Sequence, residues 1–294
     1  MTGIIIKALS GFYYVKTETD IYTCKARGNF RKNGVSPLVG DRVKITPQDD
    51  LTGVVEEILP RKTELKRPPV ANIDKLFILL AFENPAPNTL VIDKLTVLAR
   101  HAGIEPIIVF NKSDMGDFGE FKRIYENAGF KTLVMSAFTG EGIEDLKAEL
   151  KDSISAFTGN SGVGKSSVLN KVLGEDVIAT GDVSQKLGRG KHTTRHTEIY
   201  PLFFGGFVAD TPGFSSIEAG DDYSLKENLV NCFRDFDDFK DDCRFASCSH
   251  TKEKDCAIIE AVECGKIEKS RWESYVSLYE ELKDLQCWEF KRNK

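Results

Sequence analysis

No stretch of this chain is long and apolar enough to cross a bilayer as a helix, and its first residues lack the apolar core of a secretory signal. A membrane-spanning or exported protein is thereby disfavoured, and the cytoplasm is the expected location. Cysteine occurs in an odd number, seven, which argues against a disulfide framework and fits a reducing compartment. Positive charge is not in surplus, since the formal net charge is −5, and this sits badly with a nucleic-acid partner if the chain is averaged. The signs are segregated, however. The N-terminal region and residues 186–196 are basic, whereas residues 235–242 form an acidic block that reads as a solvated face. A hydrophobic content of 41% over 294 residues is enough for real cores in two or three domains.

Against those absences stands one strong motif. Gly159-Asn160-Ser161-Gly162-Val163-Gly164-Lys165-Ser166 follows the apolar residues 154–157 and precedes a helix-like run that begins at Ser167. This is the G-x-x-x-x-G-K-[ST] pattern, in which glycines turn backbone N–H groups toward phosphate oxygens and the next helix adds its dipole. Lys165 is placed to reach the β- and γ-phosphates, and the Ser166 hydroxyl to ligate Mg²⁺.

The base is read from two strings upstream. Asn111-Lys112-Ser113-Asp114 follows the apolar run 106–110, and Ser136-Ala137-Phe138 follows residues 133–135. A carboxylate at Asp114 can accept from the guanine ring N–H and its exocyclic amine, a pair that adenine does not offer. Lys112 can lie over the base, and the Ala137 N–H can meet the guanine oxygen. Downstream, residues 207–209 read as a strand ending in Asp210-Thr211-Pro212-Gly213. There Asp210 suits Mg²⁺ and the Gly213 N–H suits the γ-phosphate. Between the two lies Gly188-Arg189-Gly190-Lys191-His192-Thr193-Thr194-Arg195-His196, where one threonine completes the Mg²⁺ shell, Thr194 in preference to Thr193.

The order of these strings is unusual. In the ordinary GTPase arrangement the phosphate loop comes first and the guanine strings last, whereas here the guanine strings lead. A circular permutation produces this without altering the assembled site, because domain termini often lie close together.

The flanks have their own character. Residues 3–8, 11–16, 21–26, 42–46 and 53–58 are short β-like runs separated by turn residues, which suits a small all-β barrel. Lys25, Arg27, Arg31, Lys32, Arg42 and Lys44 are interleaved there with Phe12, Tyr13, Tyr14, Tyr22 and Phe30. That mixture suits RNA contact through phosphates and stacking, and equally a barrel with aromatic core and solvated charges. Residues 61–69 read as a linker. At the other end Cys243, Cys248, His250 and Cys256 form C-x4-C-x-H-x5-C, a ligand set for a closed, structural zinc site. Cys232 and Cys264 flank this cluster and are the competing choices, while Cys24 and Cys287 read as plain thiols. Residues 270–289 carry apolar and aromatic side chains at helical spacing, including Trp272 and Tyr275, and read as a docking helix.

The permuted order, the G-K-H-T-T-R-H loop, D-T-P-G and the C-terminal cysteine cluster together resemble the RsgA (YjeQ/YloQ) family over nearly the whole length. The resemblance implies a multidomain α/β protein. It would comprise an OB-fold at residues 1–65, a permuted P-loop GTPase domain at 66–220 and a mainly helical zinc-binding domain at 221–294. It further implies a bacterial GTPase of late small-subunit maturation, with GTP/GDP, Mg²⁺ and one structural Zn²⁺. Its partners would be the small ribosomal subunit and its rRNA, and a monomer is expected. The same four zinc ligands follow from it, and the RNA reading of the N-terminal aromatics is favoured.

Many GTPases orient the attacking water with a glutamine just after D-x-x-G, but Phe214 stands there and can neither donate nor accept such a bond. Slow turnover alone is therefore expected, with the missing function supplied by a partner or by His192 or His196. Those imidazoles serve equally well as phosphate or RNA contacts. A binding switch that barely hydrolyses GTP, and a permuted GTPase serving another assembly, remain as the competing functional classes.

Overall fold

The computed structural model describes residues 1–28, 30, 35–66, 69–83, 86–174, 197–210 and 223–285, with the backbone alone of Lys66, Asp210 and Tyr223. Five strands open the chain: β1 (Thr2–Leu9), β2 (Phe12–Lys16), β3 (Ile21–Ala26), β4 (Arg42–Pro47) and β5 (Thr52–Ile58). They run in the order β1-β2-β3-β5-β4, and β4 returns to β1 through Thr2↔Lys44 and Ile4↔Arg42. That closure makes an OB-like barrel with no free edge of its own. Alternation explains the register: Val43 and Ile45 of β4 are buried while Arg42 and Lys44 face solvent.

The segment read as a linker proves to be structured. β6 (Glu64–Lys66) and β7 (Pro69–Ala71) pair as a small hairpin, and Val70 bridges to Val39. Its cause is a buried charge. Asp41 is fully buried, and Arg61 meets it with Nε–Oδ1 at 2.7 Å and Nη2–Oδ2 at 2.8 Å. A paired buried carboxylate is tolerated where a lone one is not, so the chain is held against the barrel here.

The central part is an α/β unit. Its elements are β8 (Lys75–Ala81), α1 (Thr89–His101), β9 (Glu105–Asn111), α2 (Gly119–Asn127), β10 (Lys131–Val134), α3 (Ile143–Leu150), β11 (Ile154–Thr158), α4 (Lys165–Leu173), β12 (Glu198–Pro201) and β13 (Phe207–Asp210). The strands lie in the order β10-β9-β8-β11-β13-β12, parallel except for β12. Both faces of β8 are covered, as a central parallel strand requires. Leu76, Ile78 and Leu80 share a core with Ile92 and Leu95 of α1, while Phe77 and Leu79 share another with Leu146 of α3 and Val168 of α4. The sheet does not stop at β12, because Glu198 pairs with Lys7 of β1 and their side chains meet at 3.0 Å. Barrel and α/β sheet are thus one continuous hydrogen-bonded surface.

The last part is mainly helical, with α5 (Tyr223–Asn228), two 3-10 turns (Leu229–Cys232 and Arg234–Phe236), α6 (Ala257–Glu263) and α7 (Lys269–Leu282). Phe233, Phe236, Ile258, Tyr275 and Leu278 form its core, joined by Val97 from α1. The docking helix is present but ends at Leu282, and residues 286–294 lie outside the described residues. One sequence expectation fails here. Asp235 is not part of a solvated face, since its side chain is 5% exposed and accepts from the buried Arg271. Asp237, Asp238, Asp241 and Asp242 do face solvent. No helix among the described residues is long and apolar enough to cross a membrane.

Candidate functional site

The glycine loop joins β11 to α4, in the middle of the sheet. Gly159 has φ +143°, and a Cβ there would stand 2.4 Å from the Leu79 carbonyl oxygen. Gly164 has φ +92°, and its Cβ would stand 2.4 Å from Asn111 Nδ2. Only glycine fits either place. Asn160, Ser161 and Gly162 are exposed at the tip, Val163 is buried beneath it, and Ser166 is half-buried in the first turn of α4, followed by an exposed Ser167. Lys165 Nζ donates to the carbonyls of Gly159 and of Asn160, the latter at 3.1 Å. Burial holds its ammonium below the ordinary lysine range, so a phosphate arriving there meets a cation that is poorly solvated and favourably disposed to pair.

Asn111, at the end of β9, ties the strings together. Its Nδ2 donates to the Val163 carbonyl at 2.8 Å, and its Oδ1 accepts from the Ala137 N–H at 3.0 Å. One buried amide therefore clasps three loops: the glycine loop, its own and that of Ser136. The Ala137 N–H expected to meet the guanine oxygen is turned to this clasp. Lys112 adopts φ +66°, strained for lysine, in the turn that carries Asp114 outward. Asp114 is exposed and accepts from the Ser136 hydroxyl. Ser113 Oγ donates to Glu141 at 3.0 Å, and the Glu141 carbonyl accepts from the Ser136 N–H at 3.0 Å. Glu141 thus fixes both turns expected to read guanine, a role that no sequence pattern pointed to. Phe138, beside Ala137, projects fully into solvent.

β13 runs parallel to β11 and delivers the backbone of Asp210 to the same end of the sheet. Thr193, Thr194, His192, His196, Gly213 and Phe214, together with the Asp210 side chain, lie outside the described residues.

The second cluster lies in the C-terminal part. Cys243 Sγ is 3.4 Å from His250 Nδ1 and 3.9 Å from Cys256 Sγ, and Cys256 Sγ is 3.5 Å from His250 Nδ1. With Cys248 included, all four donor atoms lie within 4.8 Å of one another. A tetrahedral zinc with bonds of about 2.0–2.3 Å needs donors roughly 3.5–3.8 Å apart, so this set fits that ion. Cys256 stands at the N-cap position of α6, where burial pushes its thiol above the ordinary range and the Ile259 and Ile258 amides offset part of that rise. Burial lowers the His250 pKa, favouring the neutral imidazole that a metal requires. Neither competing thiol joins: Cys232 is buried in the adjoining apolar core and Cys264 is exposed. Three side chains missed as supports hold the ligand loop. Glu253 accepts from the amides of Ser249 and Thr251, Trp272 Nε1 donates to the His250 carbonyl at 2.8 Å, and Tyr275 Oη donates to the Ser249 carbonyl at 2.9 Å.

On the barrel the aromatic question divides. Tyr13, Tyr14, Tyr22 and Phe30 pack against the core, while Phe12 is 39% exposed with Lys25 Nζ 5.3 Å from its ring centre. Arg27 and Lys44 are paired with Glu56 and Glu57.

A glycine loop at the centre of a parallel sheet, fed by strands that come earlier in the chain, defines a circularly permuted P-loop GTPase. The comparisons with known proteins agree. A family described as RsgA GTPase matches residues 58–220, and one described as RsgA N-terminal domain matches residues 2–55. A Caldanaerobacter subterraneus protein named small ribosomal subunit biogenesis GTPase RsgA is 46% identical over 292 residues, 98% of each chain. A Clostridium novyi protein of the same name is 45% identical, covering 96% of this chain and 97% of that one. Among solved structures, YjeQ from Thermotoga maritima superposes with a TM-score of 0.81 at 36% identity, covering 97% of this chain and 99% of that one. YloQ, described as a circularly permuted GTPase, gives a TM-score of 0.80 at 34% identity over 96% and 95%. The chain belongs to the RsgA family of GTPases.

Proposed function

We propose that this protein binds the small ribosomal subunit and assists its late maturation in the cytoplasm, hydrolysing GTP to GDP and phosphate as it does so. The observation that carries this reading is the Asn111 clasp. It joins a guanine-reading turn to a phosphate-binding loop in a chain that matches small-subunit GTPases end to end.

Each residue then has a task. Asp114 accepts from the guanine ring N–H and amine, giving up its present partner, the Ser136 hydroxyl, for the base. Lys112 lies over the base plane, and the turn of Ser136 and Ala137 borders its oxygen. The amides of residues 159–167 cradle the phosphates at the positive end of α4, and Lys165 exchanges loop carbonyls for the β- and γ-phosphates. Mg²⁺ neutralises charge on the β- and γ-phosphates when bound, with Ser166, Asp210 and Thr194 as its protein donors. Gly213 offers its N–H to the γ-phosphate. His192 and His196 are the candidates to order the attacking water, since Phe214 cannot.

The flanks supply the partner. Phe12 and Lys25 offer a stacking face with a cation beside it, which suits unpaired bases and phosphates of rRNA. Zinc, held by Cys243, Cys248, His250 and Cys256, supplies structure and no chemistry, because four protein donors leave no open position. Domain limits at residues 1–65, 66–220 and 221–294 agree with these roles, the hairpin β6–β7 acting as the joint.

GTP turnover with purified small subunits, large subunits serving as the control, tests the reading. Stimulation by small subunits alone is expected. Tight GTP binding without stimulation would favour a binding switch instead.

A further inference from the structure

Arg271 of α7 is completely buried, and its guanidinium is enclosed on every side. Nη1 donates to Asp93 Oδ1 of α1 at 2.6 Å, while Nε and Nη2 donate to Asp235 at 3.2 and 2.8 Å. The rings of Phe233, Phe130 and Tyr125 stand around it, with centres 4.8, 5.2 and 5.9 Å away. Asp93 is likewise fully buried. A network of this kind is costly to assemble and costlier to disturb, because any shift of one helix along the other strands a charge in apolar surroundings. Cost alone makes it a poor choice for mere adhesion, since α1 and α7 already share Val97 and Leu278 in one apolar core.

Its two ends lie against the two sites. On α1, Ile92 and Val91 precede Asp93, and with Leu95 they border a cavity of about 20 Å³ that is also lined by the end of β8 and by Gly159, Asn160 and Val163 of the glycine loop. On α7 the next residue is Trp272, which holds the His250 carbonyl, and Tyr275 one turn on holds that of Ser249. A buried pair thus links the helix beside the phosphate loop to the helix that braces the Cys/His loop.

We infer that Arg271 is a positioning residue for the nucleotide site, acting through Asp93 and α1, so that zinc binding in the C-terminal part and GTP binding at the glycine loop strengthen one another. This rests on the reading that GTP binds at residues 159–166 and zinc at the Cys/His cluster. The route uses only elements packed together among the described residues. Linkage of this type is reciprocal: whatever zinc does for GTP affinity, GTP must do for zinc affinity.

The experiment titrates zinc-loaded full-length protein with a chromogenic zinc chelator, with and without GTPγS. Asp93→Asn removes the α1 charge that faces Arg271, leaving at most a neutral amide contact there, while Arg271 stays paired with Asp235. Asp235→Asn is the matched control, because it also removes a buried carboxylate from Arg271 but leaves the contact to α1. In wild type and Asp235→Asn, GTPγS is expected to tighten zinc retention by at least about fivefold, the low end of usual coupling. In Asp93→Asn the shift is expected to fall below about twofold. An unshifted wild type, or an Asp93→Asn protein that shifts as wild type does, overturns the inference. GTPγS binding is measured separately on zinc-loaded protein, and its absence would bring down the nucleotide reading itself. Should Asp93→Asn not fold, amide exchange of residues 89–101 in zinc-loaded wild type decides. GTPγS is expected to slow it, and unchanged exchange sinks the inference.

Discussion

The barrel and the zinc part flank the same α/β unit but are fastened to it by different physics. β1 of the barrel joins β12 by strand pairing, and the barrel core runs without a break into the core beneath α1 and β8. The C-terminal part shares its apolar core with α1 only through Val97 and Leu98, and side-chain charges cross the same seam. Arg271 is buried against Asp93, while Arg234 on Glu105, Arg123 on Glu268 and Arg100 on Asp237 form the rim. A backbone ladder does not hang on the charge of any one side chain. A buried ion pair depends on both partners and on the fold that presents them, and here that fold includes a cluster of four Cys/His side chains able to hold a metal. The barrel is therefore a fixed extension of the GTPase unit, and the zinc part is the one whose attachment can respond to its ligand.

That contrast is open to direct attack. Removing zinc is expected to have the largest effect, unfolding residues 223–285 while the barrel stays folded, because apparent zinc-binding energies of about 10–16 kcal/mol belong to folding in such sites. Circular dichroism with site-resolved amide exchange reads this, and equal loss in both flanks would erase the distinction. Arg271→Leu comes next. It strands Asp93 and Asp235 in the interior and is expected to cost about 3–5 kcal/mol in urea unfolding, far more than any rim arginine. Phe12→Ala is expected to leave stability nearly unchanged and to weaken binding of unpaired rRNA fragments by about 1–3 kcal/mol, as loss of one stacking platform should. Lys7→Ala has the smallest expected effect. The half-exposed pair with Glu198 should contribute about 1 kcal/mol or less, since the strand pairing persists without it. A larger loss from Lys7→Ala would mean that the barrel, too, hangs on a charge.

Sequence legibility follows the same division. The barrel strands could be read almost to the residue because β4, for example, alternates Arg42-Val43-Lys44-Ile45 between solvent and core. The glycine loop and the guanine strings were legible because their chemistry demands fixed residue types at short spacing. The hairpin β6–β7 was not, since three-residue strands carry no period and their reason for order, Asp41 with Arg61, lies twenty residues apart in sequence. Asp235 looked like one acid among many, and nothing local distinguishes it from Asp237. The pairing of Asp93 with Arg271 spans 178 positions, so it exists only once the helices have packed. The sequence places Asn111 in a guanine string, but its role as the clasp between loops needed the fold.

The measurement that bears most directly on the central contrast is native-state amide exchange of the full chain before and after zinc removal. Protection is expected to collapse in residues 223–285, to fall in α1 and to persist in β1–β5. Persistence in α1, or collapse of the barrel alongside the zinc part, would contradict that contrast.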